Sequence, residues 1–240
     1  MQKTQKIFLS GLLFALAAVS FLLYFALEIN ASFILRPLER ILLLGAGCAG
    51  VYSGALIRAK LTLEGDGAAM IMRRTFAAFF AIYILLILTF TLFDDAFGRN
   101  EENSFIFSPE ASLSEILASV NLTPFKTIKL YIRGVARGLV PPVDFAVNML
   151  GNLLAFAPMA FFLPLLFESQ RKWYRTALSS ALAVCLIELL QLVFQKGSCD
   201  IDDLILNVAG VILFYFIFWT RRAALLIDRI TCGARYSSGF

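Results

Sequence analysis

Four acids and five amides sit in stretches whose other residues are almost all apolar. Asn148 and Asn152 lie in V-D-F-A-V-N-M-L-G-N (Val143–Asn152), four residues apart and so on one helix face, with Gly151 beside them. Glu188, Gln191 and Gln195 repeat at three and four residues in a later run. Asp200, Asp202, Asp203 and Asn207 make D-I-D-D-x-x-x-N, where Asp203, Asn207 and Gly210 share a face. Carboxylates and amides left facing hydrocarbon are costly, so they must face each other, a ligand or water.

Three chemistries fit these types. Glu188 is a candidate general acid or base, with Asp200 or Asp203 as the second carboxylate. Asp200, Asp202, Asp203 and Asn207 offer hard oxygens to Mg²⁺ or Ca²⁺. The competing reading of that acidic stretch is a solvated loop, with Asp202 or Asp203 capping the next helix. Finally, the whole set is either a cleft that binds a polar group or a hydrogen-bonded network joining helices. No other cofactor is called for. Histidine is absent, which removes the commonest neutral-pH acid/base and zinc ligand. Cys48, Cys185, Cys199 and Cys232 are scattered and contain no CxxC, so a disulfide framework is not expected.

The elements that must position these residues are membrane helices. Of 240 residues, 60% are hydrophobic and the mean hydropathy is +0.80, too apolar for a soluble domain. Six runs can span a bilayer: Ile7–Leu27, Leu38–Ile57, Thr75–Phe93, Phe145–Phe167, Ala177–Phe194 and Leu204–Trp219. The first is too long for a cleaved signal peptide's apolar region. Gly50 and Gly54 in the second form a small-xxx-small pair suited to close packing. Pro141-Pro142 ends anything helical before the fourth, Asp144 suits its N-cap, and Pro158 predicts a kink within it. The fold class is therefore an all-α polytopic bundle of six spans.

Charge orients it. Basic residues cluster before the first span, in Arg58–Arg74, at Arg171, Lys172 and Arg175, and in the tail from Arg221. With six spans these regions share one side, so both termini are expected on the cytoplasmic side of the membrane. The slight excess of Lys and Arg (21 against 17 acids) needs no nucleic acid. The acids and amides then share the outer half of three spans. At about 1.5 Å per residue, Glu188 lies roughly 10 Å inside its helix end. The loop 98–142 faces outward and should carry interfacial helices. One follows the cap Ser108-Pro109-Glu110, with Leu113, Ile116, Leu117 and Val120 at helical spacing. After the turn N-L-T-P-F, a second puts Phe125, Ile128, Ile132 and Val135 on one face and Lys126, Lys129, Arg133 and Arg137 on another. Gly134 and Gly138 weaken that second helix. Its cations suit lipid phosphates or a pyrophosphate, or else merely snorkel. Residues 221–240 read as a mobile cytoplasmic tail.

Four motifs together resemble the VanZ-like family of bacterial membrane proteins. They are N-L-x-P-F-x-T-I (Asn121–Ile128), N-x-x-G-N-x-x-x-F-x-P (Asn148–Pro158), I-E-L-L-Q (Ile187–Gln191) and D-I-D-D-L-I-L-N-x-x-G (Asp200–Gly210), in that order. The resemblance implies a four-helix core at 75–220, with 1–74 as two additional spans and a basic loop. It implies a role at the cell envelope, in protection against teicoplanin and related glycopeptides. It also implies site residues at Asn148, Asn152, Glu188, Gln191, Asp200, Asp202, Asp203 and Asn207. Two positions depart from the pattern: Ala160 where a Gly often follows F-x-P, and Ser198 where a basic residue often precedes the acidic motif. The expected role is binding of a lipid-linked wall precursor, lipid headgroup or lipoglycopeptide in an outward cleft, with Lys126, Lys129 and Arg133 contributing. A carboxylate-dependent intramembrane hydrolase or transferase is the alternative. A small transporter is third, though no inverted repeat is visible.

Overall fold

Long apolar runs give long helices, because a backbone in hydrocarbon must satisfy its own polar groups. The computed structural model describes residues 2–29, 36–62, 65–92, 120–194 and 199–236. Among them, six helices are long and apolar enough to cross a membrane. In chain order the helices are α1 (Lys3–Ile29), α2 (Pro37–Leu61), α3 (Gly65–Leu92), α4 (Lys126–Ala136), α5 (Pro142–Ala155), α6 (Met159–Leu166), α7 (Trp173–Val193), α8 (Ile201–Phe218) and α9 (Arg221–Ile230). The only described strands are two-residue pieces, β1 (Val120–Asn121) and β2 (Cys199–Asp200), paired in parallel. The all-α class and six spans hold.

The loop expected over Arg58–Arg74 is mostly helix, since α2 runs to Leu61 and α3 begins at Gly65. Charged residues mark where hydrocarbon ends, and helices continue past that level. Within the expected tail, α9 takes up Arg221–Ile230 and a 3₁₀ turn follows at Ala234–Tyr236, while residues 237–240 lie outside the described residues. The interfacial helix expected from Ser108, and also Gln195 and Ser198, lie outside the described residues.

The chain forms two compact units, Met1–Phe80 with Leu225–Phe240, and Ala81–Ala224. In the first, α1 and α2 pack along the predicted glycines. A Cβ at Gly50 would lie 3.1 Å from the Leu13 carbonyl oxygen, and one at Gly54 3.1 Å from the Phe14 ring. Ser10 Oγ donates to the Gly54 carbonyl at 3.0 Å and Arg58 Nε donates to Ser10 Oγ at 3.1 Å, so the close approach is also hydrogen-bonded.

In the second unit α8 is the central helix, packed against α4, α5, α6 and α7. The fourth span is broken as Pro158 predicts, with α5 ending at Ala155 and α6 starting at Met159. Proline breaks strand carbonyls, and in a membrane each needs a donor. Around the break Met159 N–H goes to Phe156, not Ala155, and the Ala155 carbonyl accepts from the Tyr83 hydroxyl at 2.7 Å. Pro164 cannot donate to Ala160, whose carbonyl accepts from Trp219 Nε1 at 2.8 Å. Asp144 is not the cap of α5. Pro141 holds that position, with Pro142 at the first helical residue and Asp144 in the first turn, because proline's fixed φ suits a helix start.

Candidate functional site

The site forms where α5 and α8 begin and α7 ends. β2 brings Asp200 beside Asn121 of β1. Asp200 caps α8: its Oδ1 accepts from Asp202 N–H at 2.9 Å. The expected caps, Asp202 and Asp203, fall inside the first turn instead. Asp200 also accepts from Asn121 Nδ2 at 3.0 Å and from the Thr127 hydroxyl. Asn121 Nδ2 reaches Thr127 Oγ1 as well, at 3.1 Å. From the other side, Glu188 Oε2 accepts the Asp200 N–H at 3.3 Å. Glu188 and Asp200 are both buried.

Asp202 does something else. It is 1% exposed, and its carboxylate accepts three backbone N–H groups at the start of α4. These come from Phe125, from Thr127 at 2.8 Å and from Ile128 at 3.1 Å. α4 has no cap of its own, since its N-cap is Phe125 in the left-handed region (φ 61°) with no side-chain hydrogen bond. Asp202 is therefore a cap supplied from another helix. Its negative charge sits against four orphan N–H groups and the positive end of the helix dipole.

Asp203 turns the other way. Its carboxylate accepts from Asn152 Nδ2, and its backbone carbonyl accepts from Asn207 Nδ2 at 2.8 Å. One helical turn from Asn207, a Cβ on Gly210 would overlap the Leu153 carbonyl oxygen and lie 2.8 Å from its carbon. Only glycine lets α8 lie this close to α5. Gly151 has no such role: a Cβ there meets nothing within 4 Å. Gln191 Nε2 donates to the Thr91 carbonyl at 3.1 Å, filling an acceptor that the last turn of α3 cannot satisfy itself. Asn148 Oδ1 and Asn207 Oδ1 are buried and accept no hydrogen bond among the described residues.

The predicted acids and amides thus divide. Glu188, Asp200 and Asp202 join a chain of contacts to the loop. Asn152, Asp203 and Asn207 tie α5 to α8, and Gln191 serves α3. Lys126, Lys129, Arg133 and Arg137 do not converge on this layer. Thr127, Ile128, Tyr131, Gly134 and Val135 form the half-buried side of α4, and the four cations are exposed on the opposite side. On the apolar face that the periodicity gave, Phe125 and Ile132 are 50% and 52% exposed while Ile128 and Val135 are half-buried. The glycines that weakened the expectation build its end. Leu139 N–H reaches the Gly134 carbonyl at 2.8 Å, Gly138 N–H reaches Val135 at 3.0 Å, and Gly138 takes φ 69°. That is a Schellman stop.

For metal chemistry, the oxygens of Asp200 and Asp202 already face N–H and O–H donors. Among the described residues, no group of three or more Asp, Glu, Cys or His side chains is arranged to hold an ion. Reasoning on the sequence missed two participants, Asn121 and Thr127. Both stand in N-L-x-P-F-x-T-I, and that motif was their only signal.

A family model described as VanZ/LLP1 matches residues 80–225, more than half of the chain. The matched range coincides with the compact unit Ala81–Ala224 that holds the whole site. No curated protein and no solved structure matches the chain.

Proposed function

The chain belongs to the VanZ/LLP1 family, and we propose that this multi-pass membrane protein binds an amphiphile with a phosphate-bearing head at the outer surface of the bacterial membrane. A lipid headgroup and a lipid-linked cell-wall precursor share that chemistry. Contribution to glycopeptide (teicoplanin) resistance would follow from holding such a precursor, and a lipoglycopeptide would compete through its own acyl chain. The observation that carries this reading is the free side of α4. Lys126, Lys129 and Arg133 are exposed there, next to Leu122 at 70%, Phe125 at 50% and Leu130 at 57% exposed. Cations interleaved with apolar side chains match a phosphate above an acyl or prenyl chain.

In this reading the buried acids are the mount and α4 is the contact. Asp202, Asp200, Asn121 and Thr127 fix the N-terminal turn of α4, and Asn152 and Asp203 hold α5 to α8. Each basic residue near an anionic head contributes about 1 kcal/mol. Lys126→Gln/Lys129→Gln/Arg133→Gln should therefore weaken retention roughly a hundredfold. Native mass spectrometry with phosphatidylglycerol, an undecaprenyl pyrophosphate-linked precursor and teicoplanin distinguishes the sources. Equal retention of all three by the triple variant and the parent would refute the assignment.

A further inference from the structure

A second basic helix lies elsewhere in the chain and is untouched by that reading. The sixth span ends at Phe218, and α9 begins three residues later, at Arg221. Its sequence is R-R-A-A-L-L-I-D-R-I. One side is fastened: Ile227 is buried, Thr231 and Ala234 just beyond the helix are fully buried, and the Tyr52 hydroxyl donates to the Ile230 carbonyl at 3.0 Å. The other side is open. Leu225 is 70% exposed, Leu226 58% and Ile230 38%, and Arg221, Arg222 and Arg229 are exposed. At about 100° per residue these six fall on one continuous arc, in the order Arg221, Leu225, Arg229, Arg222, Leu226 and Ile230. The helix's one acid, Asp228, is off the open face, half-buried with a buried Oδ1.

We propose that α9 lies in the membrane interface and selects anionic phospholipid, with Arg221, Arg222 and Arg229 on headgroup phosphates and Leu225, Leu226 and Ile230 in the outer part of the acyl layer. Two features name this occupant. The chain leaves a membrane-spanning segment immediately before α9, so the nearest surface is the bilayer itself. The open arc carries three guanidiniums and no carboxylate, the complement of an anionic lipid surface. Guanidinium also suits phosphate in particular, because its planar donors can bind two oxygens at once.

The test uses the full-length chain with Cys48, Cys185, Cys199 and Cys232 replaced by serine and a bimane probe on Leu226→Cys, in nanodiscs of phosphatidylcholine with or without phosphatidylglycerol. Such a probe reports on α9 alone, so the result is independent of α4. Nitroxide lipids with chain-attached labels should quench it, and more strongly when phosphatidylglycerol is present. Arg221→Gln/Arg222→Gln/Arg229→Gln should remove that difference, at about fivefold in the membrane-seated to solvent-exposed ratio per arginine. A thermal midpoint unchanged by these replacements shows that the fold is intact. Equal iodide quenching in both compositions would overturn the proposal. So would lipid quenching insensitive to the arginines, which means apolar contact only, or shielding from both quenchers, which means another protein covers the arc.

Discussion

Asp202→Asn tests the cap that one helix lends another. The substitution keeps the side chain's shape but replaces one oxygen by an NH₂ group. Oδ1 now serves Phe125 N–H, and Oδ2 serves Thr127 and Ile128. Whichever way the amide turns, at least one N–H loses its acceptor and faces another donor. A hydrogen bond to a charged group contributes about 1.5–3 kcal/mol. The lost charge at the helix N-terminus adds roughly 0.3–1 kcal/mol. Opening of the first turn of α4 should therefore become easier by about 2–4 kcal/mol. Phe125 sits at φ 61°, which a non-glycine residue holds only under constraint, so release of the latch is not resisted locally. Hydrogen exchange on the full-length protein should show the amides of Phe125, Thr127 and Ile128 exchanging about 30-fold to 1000-fold faster, with α7 unchanged. Asp203→Asn is the control, because Asp203 bonds to Asn152 on α5 and not to α4. Exchange at these three amides that is unaltered by Asp202→Asn, or altered equally by Asp203→Asn, would refute the reasoning.

Gly210→Ala should cost more than the about 1–3 kcal/mol usual for overpacking and so lower the thermal midpoint sharply, because the obstacle is the Leu153 backbone and cannot rotate away. Gly151→Ala, with open space around it, should be neutral in the same melt. Burial, and then the neighbouring Glu188 carboxylate, push the Cys199 thiol up from its ordinary value. Less thiolate is then present at a given pH. With the other cysteines replaced, iodoacetamide should react with Cys199 more slowly at about pH 8 than with a free cysteine, whose pKa is about 8.5. Glu188→Gln should move the rate–pH profile to lower pH, and an unmoved profile would count against their proximity. EDTA should leave the melting transition in place, because a cation would have to displace N–H and O–H donors from Asp200 and Asp202. A shift reversed by Mg²⁺ would instead assign them to a metal.

Much of this protein is written in local pattern. Six apolar runs specify six spanning helices, because hydrocarbon leaves the backbone no cheaper way to satisfy itself. Gly50 and Gly54 announce the packing of α1 on α2, and Pro158 announces the break between α5 and α6. Periodicity also puts Asn148 with Asn152, and Asp203 with Asn207, on shared faces. Periodicity says which side chains share a face and nothing about what lies opposite. The tail illustrates the gap: the arginines among its leucines lower its hydropathy, while Ile227 and Thr231 find a buried side only in the fold. Asp202 shows it most clearly. Its partners are 74 to 77 residues earlier in the chain, and they are backbone N–H groups, which any residue but proline could supply. The sequence alone fits a cap for its own helix, a solvated acid or a metal ligand. Only the tertiary structure decides, because the energy of a buried carboxylate depends on the donors around it, and those arrive with the approach of α4 to the start of α8.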